Sequence, residues 1–412
     1  MGYDDAMASP LLKLAARNLT RHRTRTIIAL SAIAFGVVAL LIAGGFIQWI
    51  FWAMREAAIQ TGLGHVHITR PGFRTGGLAD PSRYLLPADP ATLATVRAAP
   101  GVKVVDQRLI ISGLASNGDT SVAFSGEAVD PAADAQISKA LPVQGRSLVA
   151  GGPRAVLLGA GLARALAVKP GDTVSFLVSL PNGGVNGVDG TVAGTFSTGV
   201  KALDDTSVRL PLALGRQLLK VDGAHEWVVG LDDTADTDHA VQYLRAHLPA
   251  ERFAVASWFD LSDFYRKTVA LLSRQIDVVA LLIGLIIVLG ISNTLTMNVL
   301  ERTSEIGTLM ALGNTRGDIL RLFALEGVLL GVVAAVIGLV LGVALASALS
   351  AIGIPMPPPP GRDSGYSARI MLTPPLVAGT FALAVAATAA AGLYPAWRAA
   401  RIQIVDALRH NR

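Results

Sequence analysis

The 412 residues are 52% hydrophobic and 16% charged, with mean hydropathy +0.51, which excludes an ordinary soluble protein and points to several membrane spans around a folded region. Cysteine is absent, so no disulfide framework and no cysteine-ligated metal or cluster is available. The formal net charge of +5 sits at the ends, because residues 55–267 carry 20 Lys and Arg against 21 Asp and Glu. Basic clusters that flank apolar runs mark membrane topology, whereas a nucleic-acid binder carries its patch inside a folded domain.

Residues 1–25 form the first segment. Leu11, Leu12, Ala15 and Leu19 are spaced for one helix face, with Lys13, Arg17, Arg21 and Arg25 available to an anionic membrane surface. An interfacial amphipathic helix and a plain basic flank both fit. Residues 26–54 then run 29 positions without a charge, more than the ~20 that cross a bilayer. That length favours a retained span over a cleaved signal peptide, with Phe46, Trp49 and Trp52 at its far end as an interfacial belt.

Residues 55–268 have soluble composition and are expected to form an extracytoplasmic domain. Two passages in it read strand–helix–strand. HVHITRPG, PADPATLATVRAA and VKVVDQRLIISGLAS make the first, with Asp89 as helix cap; HEWVVGLDD, DTDHAVQYLRAHL and RFAVASW make the second. One subdomain built from 55–117 and 223–257 is expected, with a β-rich insertion at 118–222 that includes a tight turn at Lys169-Pro170-Gly171-Asp172. His65 and His67 share a strand face, a pattern that can bind zinc, but no further ligand cluster accompanies them and a structural role is favoured. Ser125-Gly126-Glu127 and the scattered aspartates give no nucleophile–base arrangement.

Three more spans follow, at 269–300, 318–354 and 370–397, around a short segment at 301–317, a proline-rich loop at 355–369 and a basic tail at 398–412. The short segment has mixed charge and an apolar face. It reads as an amphipathic helix that docks on a soluble motor through Glu301, Arg302, Glu305, Ile306, Gly307, Leu309, Met310, Leu312 and Gly313. Gly327, Gly331, Gly338 and Gly342 make two GxxxG pairs in the third span, for close packing within the bundle or against a partner permease. Glu326 lies at the edge of that span, with Arg321 and Arg25 as candidate partners. Counting Lys and Arg in the short segments places both termini in the cytoplasm. No GxxxxGK[ST] phosphate loop occurs, so no ATP site of that kind and no catalytic or metal site is expected.

The order of these parts, with ERTSEIGTLMALG between spans two and three, AARNLTRHRTRT at 15–26 and YPAWRAARIQIVDALR at 394–409, resembles the FtsX-like permease family of type VII ABC transporters. That family includes the MacB-type and the lipoprotein-releasing LolC/LolE permeases, and GHVHITRPGF and GTFSTGVKALDD look closer to the lipoprotein-releasing branch. The resemblance implies an α+β membrane protein of four transmembrane helices, with Porter-like (55–117 and 223–257) and Sabre-like (118–222) subdomains inserted between helices 1 and 2. It implies a non-catalytic subunit of the bacterial inner membrane with its large domain in the periplasm. ATP and Mg would be bound by a separate cytoplasmic ATPase dimer coupled through 301–313. A second permease copy or a relative would complete the transporter, with a periplasmic carrier or adaptor and no nucleic acid as further partner. Lipoprotein extraction, MacB-like efflux and FtsX-like control of a cell-wall hydrolase are the functions it brings.

Overall fold

The computed structural model describes residues 23–77, 80–87, 89–181, 183–357 and 365–401. Lys13, Arg17 and Arg21, the helix expected over 11–25, most of the proline loop and the tail beyond Arg401 lie outside these residues. The chain divides into two compact units. One holds four helices long and apolar enough to cross a membrane; the other is a mixed α/β domain.

Helix α1 spans Arg23–Ala58 and continues into one π-helical turn, Ile59–Leu63. The domain then follows as β1 (Val66–Thr69), α2 (Pro90–Arg97), β2 (Val102–Ser116), β3 (Ser121–Val129), α3 (Pro131–Ile137), β4 (Val143–Gly145), β5 (Ala155–Gly159), α4 (Ala160–Ala165), β6 (Thr173–Ser179), β7 (Val185–Phe196), β8 (Ser207–Pro211), α5 (Leu212–Leu219), β9 (Glu226–Leu231), α6 (Thr237–His247) and β10 (Ala254–Ser257). The expected cap is present, since Asp89 accepts from the amides of Ala91 and Thr92.

The two strand–helix–strand passages interleave. The strand order β10-β1-β9-β2 is antiparallel throughout, so β1 and β2 run parallel with β9 between them. Helices α2 and α6 cover one face. Val66, Ile68, Val105, Trp227 and Val229 meet Leu93, Val96, Val241 and Leu244 there in one core. Every residue of β1 and β9 is buried, so the second face is covered as well, and it carries His67, Asp106, Arg108 and Glu226.

The boundary drawn at residue 118 is displaced. β2 is one strand of 15 residues. Its first half pairs β9 and its second half pairs β3 and β6. Strands β2, β3, β8, β5, β7 and β6 pair in a closed ring, and Leu109, Ile111 and Ala115 of β2 belong to its core with Phe124, Leu158, Phe176 and Leu210. Closing the ring removes exposed edges in a region rich in short strands. β2 stays paired through Gly113 without a break, so the two cores share a strand and no linker separates them.

The helical unit adds α7 (Asp263–Glu301), α8 (Thr303–Ala311), α9 (Arg316–Ile352) and α10 (Pro374–Ala400). These bounds shift the expected spans. Residues 370–373 precede α10, and 354–356 form a short strand after α9. Ile33, Val37 and Leu41 of α1, Ile287 and Ile291 of α7, Leu330 and Ala334 of α9, and Ala384 and Ala387 of α10 form the bundle core. Apolar residues such as Leu281, Leu285 and Leu289 point outward, as lipid-facing positions do. Of the expected aromatic belt, Trp52 is exposed but Trp49 is buried.

Candidate functional site

Helix α8 is short and held on three sides. Ile306 and Met310 lie one turn apart with Gly307 beside Ile306, and this face is buried. It packs with Val299, Ile319, Phe323, Ala396 and Ala399 from the three neighbouring helices. Glu301, the last residue of α7, takes two hydrogen bonds from the Arg25 guanidinium at 2.6 Å each. Arg302 Nε donates to Glu305 Oε2 at 2.9 Å. At the other end Gly313 adopts φ +101°, which a side chain resists. The backbone and side-chain N–H groups of Asn314 donate to Leu309 O, and a capping box between Thr315 and Asp318 starts α9.

This geometry divides the residues expected to meet a motor. Ile306, Gly307 and Met310 are buried against the chain's own helices, so they position α8 and are not a docking surface; that corrects their assignment. Glu301, Arg302 and Glu305 form ion pairs within the chain. Leu309 is half-buried, while Thr308, Ala311, Leu312 and Gly313 are exposed, Leu312 at 79%.

The glycine stripe of α9 is consumed inside the bundle. A Cβ on Gly331 would lie 2.9 Å from Thr388 Cβ, and one on Gly327 would lie 3.2 Å from Thr388 O, both on α10. On Gly338 it would lie 2.7 Å from Val37 Cβ, and on Gly342 it would meet Leu41, both on α1. The reading of this stripe as a contact with a partner permease is therefore overturned. Glu326 also lacks its expected partners, since Arg25 is paired with Glu301 and Arg321 is exposed.

Within the domain, the end of the first helix is tied to the sheet by cations. The π turn closes with the Gly64 amide donating to Ile59 O and places Gly62 at φ +132°. Its last carbonyls have no helical donors. Arg209 Nη2 donates to Thr61 O at 3.2 Å, Arg108 Nη1 to Gly62 O at 2.6 Å, and His67 Nε2 to Leu63 O. Three consecutive carbonyls at the negative end of a helix thus each meet a cationic side-chain type, a favourable arrangement of about 0.3–1 kcal/mol each and up to ~2 when partly buried.

The cations are neutralised in turn. Arg108 Nε donates to Asp106 Oδ2 at 2.6 Å and Arg209 Nη1 to Asp134 at 3.0 Å, with Glu127 and Ser138 as further partners. Burial pushes the Asp106 carboxyl up to about 7 against the pull of Arg108. Burial alone would raise Glu226 too, but His67, Arg108 and Arg74 outweigh it and hold its carboxyl at about 2. His67 Nδ1 faces Glu226 Oε2 at 3.0 Å, and its other ring nitrogen faces Leu63 O.

His65 accepts from the Leu231 amide at 3.1 Å and donates to Thr234, whose hydroxyl reaches Glu56 Oε1. Burial lowers its pKa. The structural reading of the His-x-His pair thus has named partners, and no cluster of three or more metal-ligating side chains occurs among the described residues. Sequence reading missed the Asp106–Arg108–Arg209 network. The available signal was Asp106-x-Arg108 on one face of an otherwise apolar strand.

Four long apolar helices with a periplasmic-type α/β domain between the first two define a multi-pass membrane protein. The MacB-like periplasmic core domain matches residues 26–247 and the FtsX-like permease C-terminal domain matches 278–404. The chain belongs to the FtsX-like permeases with a MacB-type periplasmic core, ABC-type membrane components that are themselves non-catalytic and pair with ABC ATPases.

Among relatives, it is 27% identical to the lipoprotein-releasing system transmembrane protein LolC of Xylella fastidiosa, over 62% of this chain and 65% of that protein. It is 32% identical to the macrolide export ATP-binding/permease protein MacB of Sodalis glossinidius, over 34% of this chain and 19% of that one. In both cases the match spans less than two thirds of the relative's own length. The periplasmic region of MacB from Actinobacillus actinomycetemcomitans aligns over 51% of this chain and 94% of its own, at 16% identity and TM-score 0.36.

Proposed function

We propose that this chain is the membrane subunit of a transporter whose cytoplasmic ATPase dimer docks on the exposed tip of α8, and that ATP hydrolysis there moves the α/β domain on the far side of the membrane. The observation that carries the reading is the division of α8 into a face locked to three helices of the bundle and an exposed tip of Thr308, Ala311, Leu312 and Gly313. A push on that tip is delivered to α7, α9 and α10 together. In this reading the termini and α8 lie in the cytoplasm and the domain in the periplasm, which the basic segments at the chain's ends support. A second permease copy or a relative completes the pair, and ATP and Mg belong to the partner ATPase.

Extraction or release of lipoproteins or other amphipathic molecules from the inner membrane is the favoured task, on the LolC likeness, which covers more of this chain than the MacB likeness does. The test is co-expression with candidate ATPases, followed by ATPase activity with and without the permease. Leu312→Asp is expected to abolish permease-dependent stimulation while leaving the chain folded. Unchanged stimulation would remove the tip from the interface. Recovery of a periplasmic adaptor and outer-membrane channel with the complex would favour efflux over lipoprotein release. Retrieval of a cell-wall hydrolase without an ATPase would favour a scaffold.

A further inference from the structure

Three buried side-chain polar atoms among the described residues lack a hydrogen-bond partner, namely Trp227 Nε1, Asn298 Oδ1 and Glu326 Oε2. Two of the three line one cavity. It measures about 10 Å³, lies between α1, α7 and α9, and is bordered by Thr26, Ala29, Thr294 and Leu330 as well as Asn298 and Glu326. Glu326 is 3% exposed. Thr294 has committed its hydroxyl proton to Gly290 O at 2.9 Å, so its oxygen has acceptor capacity left. A volume of this order holds roughly one water-sized occupant.

Charge decides what that occupant is. A carboxylate taken out of water needs a compensating positive charge, and the need is strongest within a membrane-spanning bundle. Among the described residues, the cations near Glu326 are engaged elsewhere. Arg25 is held by both oxygens of Glu301, and Arg302, whose field reaches Glu326, has its Nε on Glu305. The packed spans offer nothing further, since 26–54, 278–300 and 370–397 contain no charged residue. A neutral water bridging Glu326 and Asn298 would satisfy hydrogen bonds and leave the charge unbalanced.

We propose that this corner binds one small monovalent cation, sodium or a proton, with the Glu326 carboxylate supplying the charge and the Asn298 carbonyl a neutral oxygen ligand. One carboxylate in a cavity of this size suits a single positive charge; a divalent ion calls for more oxygens and more negative charge. The bound cation ties α1, α7 and α9 together, with Asn298 within one turn of the end of α7, where α8 joins the bundle, and Glu326 about three turns into α9. The site is therefore placed to set how firmly the first span is held by the second and third.

The test is equilibrium dialysis of the full-length protein in detergent with radioactive sodium, choline holding the ionic strength, at pH 8 and pH 5.5. Proton uptake between the two pH values is titrated in parallel. One sodium per chain at pH 8, displaced at pH 5.5 and bound at least tenfold more weakly by Glu326→Gln, establishes a sodium site. No sodium uptake, with one proton more taken up by wild type than by Glu326→Gln, establishes the proton. If neither appears in wild type, the proposal fails, and an Asn298 amide turned to donate to the carboxylate accounts for the corner. Thr294→Val and Asn298→Leu serve as additional variants if Glu326→Gln does not fold, and unchanged affinity in both would also sink the site.

Discussion

The domain and the bundle each bury charged groups, and they treat them differently. On the covered face of the sheet, Asp106, Arg108, Asp134 and Arg209 interlock, and each has at least one partner at 3.0 Å or closer. In the bundle, small residues do the joining and Glu326 is left with an unpaired oxygen. A paired network is expensive to assemble and harder still to break at one member, because the loss strands its partners. A bundle joined by glycine and alanine stores little in any one contact and answers mainly to volume. The last turn after the first helix is therefore held firmly within the α/β domain, whereas the bundle's contacts answer mainly to side-chain volume.

The most direct way to break this contrast is at Arg108. Arg108→Met removes the cap on Gly62 O and leaves Asp106, which is fully buried, without its guanidinium. A loss of about 3–5 kcal/mol is expected from the urea unfolding midpoint of the full chain in detergent. Arg108→Met combined with Asp106→Leu should recover part of it, because the stranded charge goes too. A loss below about 1 kcal/mol would mean that the network contributes little to the domain.

Titration of His225 should loosen the domain in acid, against the opposite contribution of Asp106, whose raised carboxyl favours the folded state as pH falls through about 7. His225 is buried, accepts from the Ile110 amide through Nδ1 at 2.9 Å and donates to the Pro81 carbonyl. Burial pushes its pKa down from 6.5 to about 4. The unfolded chain therefore binds the proton more readily. The full contribution is present above pH 6.5 and is lost as pH falls from there to about 4. That difference is worth about 3 kcal/mol at most. His225→Asn keeps an acceptor and a donor without titrating, so the difference between the wild-type and variant stability–pH curves should isolate this loss from the opposing contribution of Asp106. The His67–Glu226 pair acts lower, since the depressed Glu226 carboxyl gives up its contribution between 4.5 and about 2. The two windows are separable in one titration.

In the bundle, Gly331→Ala is expected to cost about 1–3 kcal/mol by overpacking, since the added methyl meets Thr388, which is fully buried. Thr388→Ala should restore part of that loss by removing the clashing hydroxyl and methyl. Full additivity of the two changes would show that α9 and α10 do not meet as closely as the geometry states.

The alternation of HVHIT and EWVVGL and the uncharged runs of the spans were legible before any coordinates, because their periods are set by one segment at a time. So was the cap at Asp89. What was not legible depends on partners distant in sequence. Nothing local shows that β2 serves two cores, because the strand is continuous and its pairing partners lie up to 129 residues away, as with Val102 and Leu231. The glycines of α9 announced close packing but not its partner; the partners turned out to be Val37, Leu41 and Thr388 of the same chain. The apolar face of α8 pointed to docking, and it was docked already. Amphipathicity reports that a face is covered and is silent on what covers it.

The smallest expected effect on stability is also the sharpest test of α8. Leu312 is 79% exposed and follows the last helical turn, so Leu312→Ser removes almost no buried area and should change unfolding by no more than about 0.5 kcal/mol. Met310→Ser, two residues earlier, empties a place in the cluster of Val299, Ile306 and Phe323 and should cost about 2–4 kcal/mol. If the tip receives the motor, Leu312→Ser disables ATPase stimulation in a chain that unfolds like wild type, and Met310→Ser lowers both together. Equal stability losses in the two variants would place Leu312 inside a packed contact and return the docking surface to the buried face.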